Sequence, residues 1–423
     1  MRHFLTQIVT CDKMEVLTPQ DWEQKRLRDV CKMYSGSTPS RNDARNFSGK
    51  NIWVSSGELK EKYIYSSKEF LSDKAIADTA LSVMPPGAVI IAIYGLEASG
   101  IRGTASIAAV PCTISQACMG FYDFDSSVYN EYFYYWYIFN GQNIGRKYAQ
   151  GTKQQNLSSE ILSSFPICLP PMAEQRKIAE ILSAQDRVIE LKTKLLEEKK
   201  RLKKYLCQVL ISGKSQSEGK KILFKELFEF LNNNSCSRAQ MKEKGTIYNV
   251  HYGDILTKYG ELLDAKKDEV PCICVNINLS KYDRLQNGDI VFADTAEDLL
   301  VGKSTELKNV GNKYIIAGLH TIAARPIKDC FIPGWLGYYT NSPSYRRQLY
   351  TCAQGSKVIS ILRKDIIDTI VDVPDKTIQK KVVTVLDIIS DEIKKIRIVI
   401  EQEKLKKKAL MQQLLTGKVR VSV

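Results

Sequence analysis

The chain of 423 residues contains only three histidines, His3, His251 and His320, and its eleven cysteines include no C-x-x-C pair. Cys272 and Cys274 are too close together for a zinc-finger spacing, so no pattern typical of a structural metal site is present. No run of about 18 apolar residues could cross a membrane, and the N-terminus lacks the apolar segment of a signal peptide. We therefore expect a cytoplasmic protein with free thiols and no metal site.

Sequence motifs for catalysis are missing as well. We find neither the glycine-rich cofactor loop nor the Asn/Asp-Pro-Pro-aromatic motif that a DNA methyltransferase would need. The nearest approach to a P-loop is 302–304 (Gly-Lys-Ser), but Glu297 stands where its first glycine belongs. A nuclease pattern can be assembled from Pro374-Asp375 and 392–394 (Glu-Ile-Lys), yet the latter lies in a regular heptad pattern, so chance explains it better. We expect no catalytic residue.

What the sequence does contain is a long internal repeat. Residues 149–214 match residues 353–418 without a gap, and 18 of these 66 paired positions are identical. Each copy opens with Ala-Gln-Gly-Thr/Ser-Lys, passes through Pro170 or Pro374, and ends in Gly-Lys. A repeat of this kind indicates that the molecule is built from two similar halves.

The second part of each copy has the periodicity of a long helix. An a/d heptad seam with 4-3-4-3-4 spacing is formed in the second copy by Val382, Leu386, Ile389, Ile393, Ile396 and Ile400. The first copy has matching residues at Ile178, Leu182, Ile189 and Leu196, is interrupted by Gln185 and Lys192, and carries a further row at Ile181, Val188, Leu195, Leu202 and Val209. Helices of roughly 40 residues would be ~60 Å long. Because neither could bury its apolar stripe alone, we predict that they pair as an antiparallel coiled coil.

Short apolar runs separated by turn residues precede each helix, and they too occur twice. We predict strands in 52–59, 87–95 and 114–119, and no strong pattern in the first twenty residues. Segments 52–59, 86–92 and 114–119 match segments 248–255, 287–293 and 318–323. The offsets are 196, 201 and 204, so the length differences fall in loops. We predict an α/β fold with two globular domains in tandem pseudo-repeat, each followed by a long helix. The predicted boundaries are domain 1–170, helix 171–214, domain 222–374 and helix 375–418.

The net charge of +14 comes largely from the two predicted helices. Residues 171–214 and 375–418 each hold 11 Lys/Arg against 6 Asp/Glu, which gives +5 for each helix. A basic balance favours polyanionic partners, DNA or RNA first. A solvated coiled-coil surface explains the same lysines equally well.

Five motifs in order resemble one known family. They are Gly-Ser-Thr-Pro-Ser-Arg (36–41), Trp-Val-Ser-Ser-Gly-Glu-Leu (53–59), Gly-Ala-Val-Ile-Ile-Ala-Ile-Tyr-Gly (87–95), Gln-Gly-Thr-Lys-Gln-Gln-Asn-Leu (150–157) and Leu-Pro-Pro-Met-Ala-Glu-Gln-Arg-Lys-Ile-Ala (169–179). This order is similar to that of the specificity subunits (HsdS) of type I restriction-modification systems. The second half resembles another branch of the same target recognition domain, although the Pro-Pro-x-Ala-Glu-Gln helix start is degraded at 374–379.

The resemblance implies a non-catalytic subunit of a DNA-binding complex. Each target recognition domain would read one half of a bipartite, asymmetric site in double-stranded DNA, and the helices would set the spacing. Two modification subunits would grip the helices, carry S-adenosylmethionine and form N6-methyladenine, while restriction (motor) subunits would cut. This chain itself would hold no cofactor.

Base reading needs hydrogen-bonding side chains on loops, and phosphate anchoring needs Lys or Arg. In the first half we predict DNA contacts by Ser37, Thr38, Ser40, Arg41, Tyr94, Arg102, Lys153 and Gln154. In the second half we predict contacts by Thr295, Glu297, Lys303, His320 and Lys357. The hydroxyls could instead cap turns, the two repeated lysines could brace their loops, and His320, aligned with Gln116, could be a satisfied core group.

Two other functions stay open from sequence alone. The chain could be a structural coiled-coil scaffold that joins two non-specific nucleic-acid-binding modules, which predicts salt-sensitive binding without sequence preference. It could also carry an unrecognised nuclease or methylase, which predicts activity without partners.

Overall fold

The computed structural model describes residues 6–11, 14–98, 100–150, 155–212, 219–275, 277–297, 300–355 and 358–422. The chain divides into two compact units. Unit 1 comprises residues 1–192 and 399–423, and unit 2 comprises residues 193–398. Each unit therefore contains one mixed α/β domain together with parts of both long helices.

Unit 1 contains twelve strands in its described residues. They are β1 (Thr6–Cys11), β2 (Met14–Pro19), β3 (Glu23–Arg26), β4 (Lys32–Ser35), β5 (Asn51–Val54), β6 (Tyr63–Ile64), β7 (Glu69–Leu71), β8 (Val89–Ala92), β9 (Ala105–Ala108), β10 (Thr113–Ile114), β11 (Cys118–Tyr122) and β12 (Pro166–Leu169). The helices are α1 (Leu27–Val30), α2 (Asp73–Asp78), α3 (Asn130–Tyr148), α4 (Ser159–Ser163) and the start of α5 (Met172–Ser212).

The core of unit 1 is a five-stranded sheet in the order β4-β11-β8-β9-β6, in which only the β6–β9 pair is parallel. A three-stranded sheet, β10-β5-β7, lies beside it in the same domain, and β10 runs parallel to β5. The central strand β8 is Val-Ile-Ile-Ala with all four residues buried, as expected for an apolar run covered on both faces. The buried strand predicted within 87–95 is confirmed at 89–92.

Unit 2 contains thirteen strands in its described residues. They are β13 (Lys220–Leu223), β14 (Phe228–Leu231), β15 (Met241–Lys242), β16 (Ile247–Val250), β17 (Leu262–Asp264), β18 (Cys272–Ile273), β19 (Ile290–Ala293), β20 (Thr295–Ala296), β21 (Ser304–Lys308), β22 (Tyr314–Ala317), β23 (Thr321–Pro326), β24 (Ile359–Ser360) and β25 (Ile370–Val373). The helices are α6 (Phe224–Leu227), α7 (Tyr252–Thr257), α8 (Trp335–Thr340), α9 (Pro343–Cys352), α10 (Arg363–Ile367) and most of α11 (Lys376–Leu414).

The sheets of unit 2 follow the plan of unit 1. Its five-stranded sheet has the order β14-β23-β19-β21-β17, again with one parallel pair, β17–β21. Its second sheet is β15-β18-β16-β22, and β22 runs parallel to β16 as β10 does to β5. In both units a two-stranded ladder, β3–β12 or β13–β25, leads into a long helix.

Two sequence expectations need correction. Segment 114–119 is not one strand as predicted. Its residues 115–117 form a turn that connects β10 of one sheet to β11 of the other. A hydrogen bond within the turn stabilises it, because Ser115 Oγ accepts from the Ala117 N–H at 3.3 Å. Residues before Trp22 were expected to lack a pattern, but β1 and β2 form an antiparallel hairpin. Two strands that follow each other in the sequence can pair through a short turn, so a hairpin can form without a long apolar run.

Helices α5 and α11 begin two residues after Pro170 and Pro374, where a missing N–H does not interrupt the helical ladder. The seam of α11 is buried at Val382, Leu386, Ile389, Ile393 and Ile400. In unit 1 the Gln185 amide donates to the Glu403 carboxylate at 2.9 Å, and in unit 2 Lys199 Nζ lies 2.6 Å from Glu392 Oε2. Within the described residues, neither helix is long and apolar enough to span a membrane.

A second apolar row on α5 points into solvent. Leu195, Leu202 and Val209 recur every seven residues, and Tyr205 lies one turn beyond Leu202 on the same face. These four side chains are 42–60% exposed. These residues form an apolar stripe at a/d spacing that remains about half exposed on the helix surface.

One buried tyrosine in each unit anchors the domain to the long helices. Tyr135 Oη donates to Asp186 at 2.8 Å and lies 3.2 Å from Ser183, while Lys407 Nζ lies 5.6 Å from its ring centroid. In unit 2, Tyr338 Oη donates to Asp387 at 2.6 Å and lies 3.2 Å from Ser390; here Lys203 Nζ lies 5.5 Å from the ring. Lys203 and Lys407 are partners in the 204-residue repeat.

A buried glutamine begins each long helix in the same way. The Gln175 amide donates to the carbonyls of Ser127 and Pro170, and its oxygen accepts from the Tyr129 N–H. The repeat partner Gln379 donates to the carbonyls of Cys330 and Pro374 and accepts from the Ile332 N–H. The degraded motif at 374–379 therefore keeps the residue that ties the helix to its domain.

Candidate nucleic-acid interface

Four loops of unit 1 meet at one end of the five-stranded sheet. The Ile93 N–H, just past β8, donates to the Ala117 carbonyl at 3.0 Å, and the Leu157 N–H donates to the Ile93 carbonyl at 2.8 Å. The Ser37 N–H donates to the Ile114 carbonyl at 3.2 Å. We call the described residues of segments 35–41, 93–104, 115–117 and 155–157 the loop edge of unit 1. Binding residues commonly lie on loops that a rigid sheet positions in this way.

Unit 2 builds the same edge with the same hydrogen bonds. The Asp294 N–H, just past β19, donates to the His320 carbonyl at 3.1 Å, and the Ile361 N–H donates to the Asp294 carbonyl at 2.8 Å. The Asn234 N–H donates to the Ala317 carbonyl at 2.9 Å. We call the described residues of segments 231–238, 294–303, 318–320 and 354–361 the loop edge of unit 2.

These bonds fix which residues correspond, and they correct one sequence alignment. His320 stands where unit 1 has Ala117, an offset of 203, and not where it has Gln116 as expected. The offset reaches 204 only later, between Leu157 and Ile361. The offset is still 203 at Tyr135 and Tyr338 and is 204 at Gln150 and Gln354, so unit 2 has one extra residue between these positions, where α3 is one helix and α8 and α9 are two.

The predicted hydroxyl turn of unit 1 lies on the loop edge. The Ser37 carbonyl accepts from Trp53 Nε1 at 3.2 Å, and Thr38 Oγ1 accepts from the Gln116 N–H at 3.5 Å. Ser40 is exposed, and its carbonyl accepts from the Asn46 amide at 2.9 Å. The turn is thus held through its main chain, which leaves the exposed Ser40 hydroxyl on the surface.

Arg41 makes a bidentate ion pair with Glu69, at 2.8 and 2.9 Å, and its guanidinium lies 4.7 Å from the Phe47 ring centroid. The pair raises the pKa of Arg41 and lowers the pKa of Glu69. The arginine side chain is still 58% exposed. A phosphate could therefore reach the guanidinium from the solvent side, in exchange for or beside the carboxylate.

Arg102 and Tyr94 lie in the loop that follows β8. Arg102 Nη2 donates to the Gln155 side chain, so it ties two loops of the edge together. Its stem lies on α3 at Gly145, where an added Cβ would approach Arg102 Cγ to 2.7 Å. Tyr94 is partly exposed. The predicted contacts Lys153 and Gln154 lie outside the described residues.

In unit 2, Thr295 and Glu297 lie on the loop edge. The side chain of Lys303 is instead directed at main-chain carbonyls. Glu297 is exposed, and Thr295 Oγ1 donates to the Asp294 carboxylate at 2.7 Å. Lys303 Nζ donates to the Leu256 and Tyr259 carbonyls, at 2.9 and 3.1 Å. Burial lowers the pKa of Lys303. This lysine bonds to one carbonyl in the last turn of α7 and to one just past the helix, which favours a structural role. Lys357 lies outside the described residues.

His320 is the most unusual residue of this edge. Its φ of +54° places a non-glycine residue in the left-handed region, which histidine adopts more often than most but at some cost. Its Nδ1 lies 3.4 Å from Asp294 Oδ1 and 3.5 Å from Thr295 Oγ1. The ring packs edge-on against Tyr252, with centroids 5.3 Å apart, and the side chain is 48% exposed.

Arg238 was missed by the sequence analysis. The match of Ser37 to Asn234 has an offset of 197, which brings Arg41 onto Arg238. Arg238 Nη1 donates to Asp254 at 2.6 Å and is 61% exposed, so both edges carry an exposed arginine paired with a carboxylate. A signal existed, because the dipeptide Ser-Arg occurs at 40–41 and again at 237–238.

The two edges offer arginine, hydroxyl, imidazole and phenol groups for hydrogen bonding. Groups of this kind recognise phosphates and base edges. Within the described residues, no cluster of three His, Cys, Asp or Glu side chains could hold a metal ion. The ten cysteines with described side chains are free thiols.

Comparison with known proteins shows which proteins this chain resembles. The family described as "Type I restriction modification DNA specificity domain" matches residues 19–201. Against the MjaIX specificity subunit of Methanocaldococcus jannaschii, a type I restriction enzyme, identity is 29% over 182 residues, or 42% of this chain and 40% of that protein. Against the EcoR124I/EcoR124II specificity subunit of Escherichia coli, it is 26% over 166 residues, or 39% and 41% of the two chains. The chain thus matches well under half the length of either relative.

Other matches extend over nearly the whole chain. The MjaVIII specificity subunit of Methanocaldococcus jannaschii is 23% identical over 432 residues, which covers 95% of this chain and 94% of that one. The S subunit of a type I restriction-modification system from M. genitalium superimposes with a TM-score of 0.54 at 14% identity, covering 97% and 99% of the two chains. A chain from a type I R-M assembly structure superimposes with a TM-score of 0.60 at 16% identity, covering 95% and 99%. The resemblance to type I restriction-modification specificity subunits is confirmed.

Proposed function

We propose that this chain is the non-catalytic DNA-specificity subunit of a type I restriction-modification complex. One target recognition domain reads each half of a bipartite, asymmetric site in double-stranded DNA. The observation that carries the proposal is the recurrence of one loop edge, held by the same main-chain hydrogen bonds, in both units. Two copies of one scaffold with different edge side chains suit a site with two different halves.

The domain organisation belongs to the same proposal. Residues 1–170 and 222–374 form the recognition domains, and residues 171–214 and 375–418 form spacer helices that pair as an antiparallel coiled coil. Two contacts support the pairing: Gln185 donates to Glu403 and Lys199 pairs with Glu392, so the later residue of α5 meets the earlier residue of α11. The matching strand orders of the two sheets support the pseudo-repeat.

The exposed row on α5 supports docking of partner subunits. A helix from a modification subunit would bury Leu195, Leu202, Tyr205 and Val209, whose a/d spacing suits helix-on-helix packing. Two modification subunits would bind through the helices, supply S-adenosylmethionine and carry out methylation in the cytoplasm. Restriction subunits would join the same complex.

The predicted DNA contacts remain part of this proposal. On the loop edge of unit 1 these are Ser37, Thr38, Ser40, Arg41, Tyr94 and Arg102, and on that of unit 2 they are Thr295, Glu297 and His320. Lys153, Gln154 and Lys357 stay predicted contacts outside the described residues. We add Arg238 as the counterpart of Arg41. Since it is exposed and guanidinium suits phosphate, each half-site would gain one anchoring contact.

The decisive experiment maps N6-methyladenine across the genome of the host strain, with this gene intact and deleted. The proposal expects one bipartite motif with unlike halves to lose methylation on deletion. Unchanged methylation, also after co-expression with the neighbouring methyltransferase gene, would contradict it. Salt-sensitive binding without any motif would instead favour a scaffold for non-specific nucleic-acid-binding modules. Methyl transfer or cleavage by the purified chain alone would show that it is an enzyme.

A further inference from the structure

The loop edge of unit 2 contains an imidazole held in one orientation by its neighbours. His320 Nδ1 lies 3.4 Å from Asp294 Oδ1, and the same oxygen accepts a 2.7 Å hydrogen bond from Thr295 Oγ1. The carboxylate therefore favours a proton on Nδ1. Within the described part of the chain, Nε2 forms no hydrogen bond. This nitrogen belongs to a side chain that is 48% exposed.

The main chain around this imidazole is constrained as well. His320 has a φ of +54°, and its carbonyl accepts from the Asp294 N–H at 3.1 Å. Glycine would adopt this left-handed conformation without cost, whereas histidine is strained there. The surrounding structure therefore has to stabilise His320 in this conformation. The same turn of unit 1 has Ala117, and Asp294 corresponds to Ile93. At this turn, the imidazole–carboxylate pair is therefore present in unit 2 and absent from the described residues of unit 1.

Several titratable and charged side chains surround the His320 ring. Asp294 follows β19, and Tyr252 and His251 stand at the start of α7; the Tyr252 ring lies 5.3 Å from His320 and 4.6 Å from His251. Burial lowers the pKa of His251. Arg238 lies behind it, paired with Asp254. Asp294 is thus the charged group in contact with the His320 ring.

We propose that protonated His320 donates a hydrogen bond from Nε2 to an acceptor atom of the second half-site, with Asp294 as its positioning residue. With Nδ1–H directed at Asp294, the neutral ring offers only a lone pair at Nε2, whereas the imidazolium offers N–H there. Purine N7 and O6 and phosphate oxygens are the acceptors that DNA presents. Recognition by the second domain then takes up a proton, while recognition by the first does not.

This inference rests on the proposed function, and its test begins with the motif found by methylation mapping. The purified complex with its modification subunits is titrated by fluorescence anisotropy into a duplex that carries this motif, at pH 6 and pH 8. Two further duplexes have one half-site scrambled. We expect wild-type binding to be about tenfold tighter at pH 6 than at pH 8. The pH effect should disappear when the second half-site is scrambled and persist when the first is scrambled.

Variants separate a DNA contact from a structural role. His320→Ala should remove the pH effect and weaken binding at pH 6 about tenfold, and Asp294→Asn should shrink the pH effect. His320→Gln, which retains an N–H donor, should bind independently of pH with part of the affinity restored. Gln116→Ala, on the corresponding turn of unit 1, is the matched control and should keep the pH effect. Co-purification with the modification subunits verifies that each variant is folded.

The methylation motif of the variants identifies the acceptor. Relaxed sequence preference at one position of the second half-site indicates a base edge, and uniform weakening with an unchanged motif indicates a phosphate. A pH effect that survives His320→Ala, or an unchanged affinity at both pH values, would overturn the inference while the mapped motif keeps the proposed function intact. Absence of any motif would defeat both.

Discussion

Tyr135 of unit 1 and Tyr338 of unit 2 bind the long helices through the same pair of groups in exchanged positions. Tyr135 donates to Asp186 beside Ser183, and Tyr338 donates to Asp387 beside Ser390. In the repeat, Ser183 corresponds to Asp387 and Asp186 to Ser390. The phenol can meet its acceptor from either side because both positions lie one turn apart on one helix face. The attachment of domain to helix is thus kept while its residues vary.

The loop edges differ far more than the attachments. Where unit 1 has Ile93, Ala117 and Ser37, unit 2 has Asp294, His320 and Asn234. The main-chain hydrogen bonds between these loops are the same in both units. A scaffold carried by backbone bonds tolerates any side chain that fits. The comparison teaches that the fold is repeated through the backbone and that the recognition surface is varied through side chains.

A further difference concerns the chain termini. Arg420 makes bidentate ion pairs with Glu174, which is buried, and with Asp21. The repeat partner of Glu174 is Ile378, so α11 begins without this ion pair. The pairing with Arg420 lowers the pKa of Asp21. Ion pairs therefore hold the start of α5 to the C-terminal segment. At the start of α11, Ile378 packs against the apolar core of unit 2 instead.

The largest predicted effect tests whether the two helix starts are equivalent. Gln175→Leu and Gln379→Leu each leave two carbonyls and one N–H without a partner, so each should lower the free energy of unfolding by about 2–4 kcal/mol. Urea denaturation followed by circular dichroism measures this. Gln208→Leu and Gln412→Leu, at exposed paired positions of the same repeat, are controls and should change stability little. Loss at only one helix start would contradict the equivalence.

A second prediction is that the stability of unit 2 depends on pH through a carboxyl group that unit 1 lacks at the corresponding position. Burial raises the pKa of Glu306 on β21 to about 7, while unit 1 has Ile107 at the corresponding position of β9. Between about pH 4.5 and 7 the folded protein holds a proton that the unfolded chain has released, so rising pH should destabilise unit 2 by up to about 3 kcal/mol.

Glu306→Gln should flatten this dependence, since the amide does not titrate. Hydrogen exchange of β21 and of β9, measured at pH 5 and pH 8, provides the readout for each unit separately. An equal loss of protection in both strands of the wild type would contradict the assignment to Glu306.

The smallest predicted effect concerns the lysines over the anchoring tyrosines. Lys203→Met and Lys407→Met remove matched cation–π contacts and ion pairs with Glu261 and Asp186. Each should cost about 1 kcal/mol, and the two costs should be similar. Lys200→Met and Lys404→Met, which break matched surface pairs with Glu197 and Glu401, should cost under about 0.5 kcal/mol. A control that costs as much as the test substitution would show that the tyrosine contact adds nothing.

The sequence by itself determined the repeat, the central strands and the long helices. Apolar periodicity is a local property, so the buried runs at β8 and β19 and the seam of α11 could be recognised without any tertiary contact. The turn at 115–117 could not, because Ser115, Gln116 and Ala117 satisfy a strand pattern equally well. Which sheet each flanking residue joins depends on β5 and β8, which are distant in sequence.

The roles of single side chains were decided only by the tertiary structure. Lys303 was predicted to face DNA, but its ammonium is directed at the carbonyls of Leu256 and Tyr259, and no local pattern encodes that direction. Hydrogen bonds between the loops identified Arg238 as the counterpart of Arg41, because a Ser-Arg dipeptide is too short a signal to fix the alignment by itself. Asp294 and His320 are 26 positions apart and meet because β19 and β23 are neighbours in one sheet. Sequence periodicity specifies which segments are buried, whereas the meeting of distant side chains depends on how those segments pack.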